Sequence, residues 1–221
     1  MPDRLAQFTR GCLRRLARLR EWKYACFKWA TWPRRLSGNL VLGKHVGLMA
    51  PLRCDGEGVV YVSDRTKLGS PLSARYGNGE VLLQARTRDA VIRIGRHCAF
   101  SNNVSVIAVQ SVEIGDDCLI GDFVSIMDSD FHGIAPDQRR TGPAQTAPVK
   151  LENNVWLGSR VIVQKGVTIG ENSIVAPNAV VTSSIPPNSV AAGVPAKVVR
   201  GLADSSTRAE QEPDASGVPY A

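Results

Sequence analysis

An aliphatic residue returns every six positions from Leu151 onward, at Leu151, Leu157, Val163, Ile169, Val175 and Val181. Four residues after each stands a second small or aliphatic side chain: Val155, Val161, Val167, Ser173, Ala179 and Ile185. The same rhythm runs earlier through Ile94-Gly95, Phe100, Val106, Ile114-Gly115, Ile120-Gly121 and Ile126-Met127. A period of six matches neither the helix, at about 3.6, nor the strand, at about 2. The chain must therefore turn a corner every six residues. Three short strands then close one triangular coil of about eighteen residues, and successive coils stack at the strand spacing of about 4.8 Å. The first aliphatic residue of each hexad points into the prism, and the small residue four places on sits near the corner.

Composition agrees with such a core. Aromatic residues make up only 6% of the 221, so small aliphatic side chains must fill the interior. Gly115, Gly121, Gly158, Gly166 and Gly170 suit corners where a Cβ would clash or φ must be positive. The five cysteines are scattered, odd in number and free of any CxxC pair, which argues against a disulfide framework and a zinc site and for a reducing compartment. Cys98 and Cys118 occupy the small-residue slot and read as packing residues. The formal charge of +7 is concentrated at one end, because residues 1–36 carry ten Lys or Arg against Asp3 and Glu21. The remainder is close to neutral, so a nucleic-acid partner has no clustered basic surface to bind.

Four strings carry a family likeness: Ile114-Gly-Asp-Asp-Cys-Leu-Ile-Gly121, Asn153-Asn-Val-Trp-Leu-Gly-Ser159, Gly166-Val-Thr-Ile-Gly-Glu-Asn172 and Ala191-Ala-Gly-Val-Pro-Ala-Lys-Val-Val-Arg200. Over about residues 90–200 the chain resembles the hexapeptide-repeat acyltransferases, within them the galactoside, maltose and polysaccharide O-acetyltransferases. The resemblance implies an all-β, left-handed parallel β-helix, acetyl-CoA as co-substrate, no metal, a saccharide acceptor and a homotrimer with sites between adjacent prisms.

A regular solenoid has no chemistry of its own, so the place where the repeat fails is informative. It fails between Asp128 and Val149, in a stretch rich in Gly, Pro and charge. A loop this long is uncommon in a compact domain unless it is functional. His132 stands at its mouth, where the resemblance puts a catalytic histidine. As general base it would take the proton of the attacking hydroxyl, a contribution of about 10²–10⁴-fold. A backbone N–H of the Trp156–Ser159 corner is the candidate oxyanion donor. Asp128, Asp130 or a backbone carbonyl would fix the imidazole tautomer. For both aspartates a solvated loop charge is the competing reading.

The resemblance further implies that Asn103 acts at the acceptor's reacting hydroxyl and that Trp156 and Asp130 also bind the acceptor. It implies that Ser159, Pro177, Thr182, Lys197 and Arg200 contact coenzyme A, the last two through its phosphates. Pro177 and the Thr182-Ser183 pair depart from the family pattern. A further departure falls at Ala108 and Val109, where the galactoside enzymes carry acceptor-binding acidic residues, so galactoside specificity does not transfer. His45 and His97 read as local hydrogen-bonding or solvent-facing residues.

Residues 4–30 read as a basic amphipathic helix, with Leu5, Phe8, Cys12, Leu16, Leu19, Trp22, Cys26 and Trp29 on one stripe and Pro33 ending it. It either lies on an anionic membrane or packs on the prism or a neighbouring subunit. Neither a spanning helix nor a secretory signal is expected, which predicts a cytoplasmic protein, peripheral on the inner membrane face if the helix binds lipid. The expected organisation is a helical extension over 1–36, irregular early coils over 37–90, a catalytic β-helix over 91–202 with the loop 128–149, and a disordered tail over 203–221. The function expected is transfer of an acetyl group to a sugar hydroxyl in cell-surface polysaccharide assembly. Its rivals are a serine-type or other small-molecule acetyltransferase and a non-catalytic assembly module at the membrane. A zinc carbonic anhydrase needs three histidine ligands, and His45, His97 and His132 lack ligand spacing.

Overall fold

The computed structural model describes residues 39–74 and 76–202. The amphipathic helix expected over 4–30 and the tail from 203 lie outside these residues. Within them the chain winds as a left-handed parallel β-helix of six three-strand coils. The first coil is β1 (Leu40–Leu42), β2 (Gly47–Leu48) and β3 (Leu52–Asp55), and the second is β4 (Val59–Val62), β5 (Lys67–Leu68) and β6 (Val81–Ala85). The third is β7 (Val91–Ile94), β8 (Ala99–Phe100) and β9 (Ser105–Ala108), and the fourth β10 (Ser111–Ile114), β11 (Leu119–Ile120) and β12 (Ser125–Met127). The fifth is β13 (Val149–Leu151), β14 (Trp156–Leu157) and β15 (Ile162–Val163), and the sixth β16 (Thr168–Ile169), β17 (Ile174–Val175) and β18 (Val180–Val181). β19 (Ser189–Gly193) adds in parallel to β17, and β20 (Ala196–Gly201) turns back antiparallel on β19.

Every third strand belongs to one face. The first sheet runs β1-β4-β7-β10-β13-β16, the second β2-β5-β8-β11-β14-β17-β19-β20, and the third β3-β6-β9-β12-β15-β18. The register is set by the hexads, with Leu157 opposite Val175 and Val163 opposite Val181. Leu151, Leu157, Val163, Ile169, Val175 and Val181 are all essentially inaccessible, as are the residues of the second slot from Val155 to Ile185. Burying one such aliphatic side chain is worth about 1.5–3 kcal/mol, so the stacked hexads supply most of the driving force.

The corners explain the glycines and the polar residues between hexads. A Cβ on Gly170 would come within 2.3 Å of Pro187 N, and one on Gly158 within 2.6 Å of Pro177 N, because consecutive coils touch there through the main chain. At the corners between the first and second and the second and third sheets, positive φ falls to non-glycine residues, in two columns. His45, Arg65, His97, Asp117, Asn154, Asn172 and Asn188 line the edge between the first and second sheets. Asn103, Phe123, Arg160 and Asn178 line the edge between the second and third. His97 is thus a turn residue, with Nδ1 3.4 Å from Asp117 Oδ1. Cys98 and Cys118 are buried in the small-residue slot, where their thiols face the Gly115 and Glu152 carbonyls at 3.1 and 3.2 Å. The Cys98 thiol and burial push the Cys118 thiol far above the ordinary range, which suits packing rather than reactivity.

The coil is interrupted twice. One excursion, described over residues 69–74 and 76–80, leaves the edge between the second and third sheets. The other, residues 128–148, leaves the edge between the third and first.

Candidate active site

Asp128 follows β12 with the parity of inward-facing Ile126, and it is buried. Its Oδ1 accepts from Val109 N at 2.8 Å and its Oδ2 from Gln110 N at 2.7 Å, so the carboxylate stitches the mouth of the larger loop to the turn one coil below. Neither aspartate contacts the histidine. Ser129 bridges Thr146 in antiparallel fashion, closing the loop's base, and the Asp130 carboxylate accepts from Lys165 Nζ at 2.9 Å. Phe131 takes φ 62 in its tight turn, and the Arg86 guanidinium lies 4.1 Å from its ring centroid. That contact reaches from the end of the second coil to the fourth.

The chain then presents His132, exposed, with Nδ1 3.1 Å from Arg139 O. A carbonyl only accepts, so Nδ1 carries a proton, and in the neutral ring Nε2 is the nitrogen with the lone pair. Of the three groups considered for fixing the tautomer, the backbone carbonyl is the one in place. Gly133 allows the approach of the turn that supplies it, since a Cβ there would lie 2.5 Å from Gln138 O.

The other residues singled out by sequence fall into three places. Thr182 follows β18 on the same edge as His132, two coils further on. Asn103, Ser159 and Pro177 lie on the edge between the second and third sheets. Trp156 stands half exposed on the outer face of the second sheet, stacked above Leu119 in register. Lys197 and Arg200 are exposed on β20, at the far end of that sheet. Asn103 is spoken for in part: its Nδ2 donates to Ala74 O at 3.2 Å, within the smaller excursion. At the Trp156 corner the N–H groups of Trp156, Gly158 and Arg160 all donate to neighbouring coils, whereas Ser159 N–H has no acceptor among the described residues. One prism therefore carries Asp130, His132 and Thr182 on one edge and Asn103, Ser159 and Pro177 on the next.

Another concavity, of about 460 Å³, lies over the first sheet and is lined by Arg93, Glu113, Asp116, Lys150 and Glu152. Its charges are matched locally, as in Lys150 with Glu152 at 3.6 Å. Arg96, by hydrogen bond and charge, holds the Asp116 carboxyl below its usual range. Neither a histidine nor a cysteine lines the concavity. Among the described residues no group of His, Cys, Asp and Glu is arranged to hold a metal ion, and no helix is long and apolar enough to cross a membrane.

Known proteins resemble this chain. The family model for bacterial transferase hexapeptide repeats matches residues 148–183. The galactoside O-acetyltransferase of Escherichia coli K12 is 40% identical over 113 residues, covering 51% of this chain and 55% of the relative. A putative lipopolysaccharide biosynthesis O-acetyltransferase of the same organism is 39% identical over 119 residues, covering 46% and 59%. The chain thus spans little more than half the length of the curated relatives it matches. Among solved structures, a galactoside acetyltransferase in complex with coenzyme A superposes with a TM-score of 0.52 at 31% identity, covering 71% of this chain and 68% of that one. A hexapeptide-repeat acetyltransferase of Vibrio cholerae complexed with acetyl coenzyme A gives 0.54 at 27%, covering 77% and 74%. With the hexapeptide repeat and the three-sheet prism in common, the chain belongs to the hexapeptide-repeat acetyltransferase family.

Proposed function

We propose that the protein transfers an acetyl group from acetyl-CoA to a hydroxyl of a saccharide destined for a cell-surface polysaccharide, with His132 as general base. The observation that carries this reading is the His132 ring itself, held through Nδ1 by Arg139 O with Nε2 available to accept. A sugar hydroxyl is a poor nucleophile at neutral pH. As its oxygen attacks the thioester carbonyl, Nε2 takes the proton, and the same proton then serves the departing thiolate. The developing oxyanion requires a fixed donor, and the unengaged Ser159 N–H is the one at the expected corner.

The separation of the candidates onto two edges supports a homotrimer. A threefold arrangement of parallel prisms brings the His132 and Thr182 edge of one copy against the Asn103, Ser159 and Pro177 edge of the next. Coenzyme A would lie in that cleft, with Ser159 and Pro177 beside the pantetheine and Lys197 and Arg200 toward the phosphates. Asn103, Trp156 and Asp130 would face the acceptor. Because Ala108 and Val109 provide no carboxylate, the acceptor differs from a simple galactoside. A lipid-linked precursor suits the basic segment 4–30, which would hold the enzyme on anionic lipid at the inner face of the membrane.

The test is release of coenzyme A from acetyl-CoA against a panel of free sugars, nucleotide sugars and lipid-linked oligosaccharides. Saccharide-dependent release, with the acetyl group recovered on oxygen, is expected. Release that no saccharide stimulates would remove the assignment.

A further inference from the structure

The smaller excursion has no part in the mechanism above, yet the fold commits a fully buried side chain to it. Asn102 lies between inward-facing Phe100 and Val104 and shares their parity, so its amide points into the prism's corner with no exposure to solvent. Its whole polar capacity goes to the loop. Asn102 Oδ1 accepts from Ser70 N at 3.0 Å, and Nδ2 faces Ser70 O, Ser73 O and Ala74 O at 2.9, 3.1 and 3.3 Å. The next residue, Asn103, adds its own Nδ2 to Ala74 O, and its N–H to Gly79 O at 3.4 Å. A buried amide engaged this way fixes a loop in one conformation, because releasing it would strand several polar groups out of water.

The loop so fixed spans the two places where the acceptor is expected. At its start Gly69, at φ +87, turns the chain outward where a Cβ would strike Ala50, and Ser70 and Pro71 then form one wall of a groove of about 420 Å³. The rest of that groove is largely apolar, with Met49 and Leu119 beneath and Trp156 at its upper side. Further along, Tyr76 leans on Phe123 with ring centroids 5.4 Å apart, one coil above Asn103, and stays two-thirds exposed. Apolar surface and rings on one side and amides on the other match the two faces of a pyranose, whose C–H groups stack on aromatic rings while its hydroxyls need hydrogen bonds.

We propose that residues 69–74 and 76–80 form the acceptor-selecting wall of the site, with Asn102 as the positioning residue that holds the wall and Tyr76 as the ring that packs on the pyranose. The inference rests on the acyl-transfer reading for its place in the reaction, but it concerns saccharide binding alone. Asn103 is then shared between the loop and the acceptor, so the wall and the reacting hydroxyl are set by neighbouring residues of one corner.

The experiment uses the full-length chain on an array of immobilised neutral and acidic pyranosides, with acetyl-CoA affinity measured separately by calorimetry. Tyr76→Ala and Asn102→Ala are each expected to weaken pyranoside binding at least tenfold while acetyl-CoA affinity stays within twofold. Tyr76 is exposed, so its variant reports even if loss of the buried Asn102 amide prevents folding. Unchanged pyranoside binding by Tyr76→Ala would overturn the proposal, as would an equal loss of acetyl-CoA affinity or a wild-type chain that binds none of the pyranosides. Failure of the wild type to bind acetyl-CoA would instead remove the acyl-transfer reading.

Discussion

The two excursions from the β-helix are anchored by the same device and used differently. In each, a polar side chain occupies an inward-facing position and is satisfied by main-chain groups one coil away: Asp128 by Val109 N and Gln110 N, Asn102 by the backbone of residues 70–74. The carboxylate belongs to its own loop and reaches down, whereas the amide belongs to the next coil and reaches back. One excursion presents an ionisable ring whose tautomer is fixed, and the other presents a phenol ring and a short apolar wall. A solenoid whose faces are occupied by ladders gains chemistry at its edges, where a loop leaves the stack without breaking the register of the coils on either side.

The largest expected effect separates these roles. His132→Ala should lower the rate of acetyl transfer by about 10²–10⁴-fold, equivalent to about 3–5 kcal/mol in the barrier. Thermal unfolding should be unaltered, since the ring is exposed and makes one hydrogen bond. Turnover close to that of the wild type would place the base elsewhere and reduce the loop 128–148 to a structural insertion.

The second effect tests the anchor. Asp128→Ala leaves two part-buried N–H groups, on Val109 and Gln110, without their acceptor. A stranded donor costs about 1–3 kcal/mol when fully buried and less where water reaches it, so a loss of about 1–2 kcal/mol is expected in chemical denaturation. Transfer activity should fall as well, because the segment carrying His132 starts at this residue. Unchanged stability would show that the loop's base is held by the Ser129 and Thr146 bridge rather than by the carboxylate.

Much of this was legible before any coordinates. The hexads beginning at Leu151 dictated the prism, the inward residues and the placement of Cys98 and Cys118, because each hexad repeats one local solution and six agree. The failure of the repeat at Asp128 located the loop. The anchors were harder to see. Asp128 and Asn102 stand two residues beyond Ile126 and Phe100, so strand parity alone marks them as inward, but a polar residue at a corner reads equally well as solvated until its partners are known. The tautomer of His132 depends on the main-chain carbonyl of Arg139, which no side-chain identity encodes. The smaller excursion is not legible in the sequence because it interrupts coils whose hexads are weak, so no broken rhythm marks it.

The smallest expected effect bears on how the larger loop is closed above its anchor. Lys165 Nζ donates to Asp130 at 2.9 Å, joining the loop's mouth to the turn before the sixth coil, but the two side chains keep about 26% and 32% of their exposure. A pair so open to water gains little Coulomb energy after screening and the cost of ordering two side chains, typically about 0.2–1 kcal/mol. Lys165→Ala should therefore cost less than about 1 kcal/mol, and high salt should erase the difference from the wild type. If Asp130 instead contacts the acceptor, the same variant would change the acceptor's KM while leaving stability alone. A stability loss well above 1 kcal/mol that salt does not reduce would mean that the pair is shielded from water in the assembled protein, making Lys165 an anchor of the same rank as Asp128.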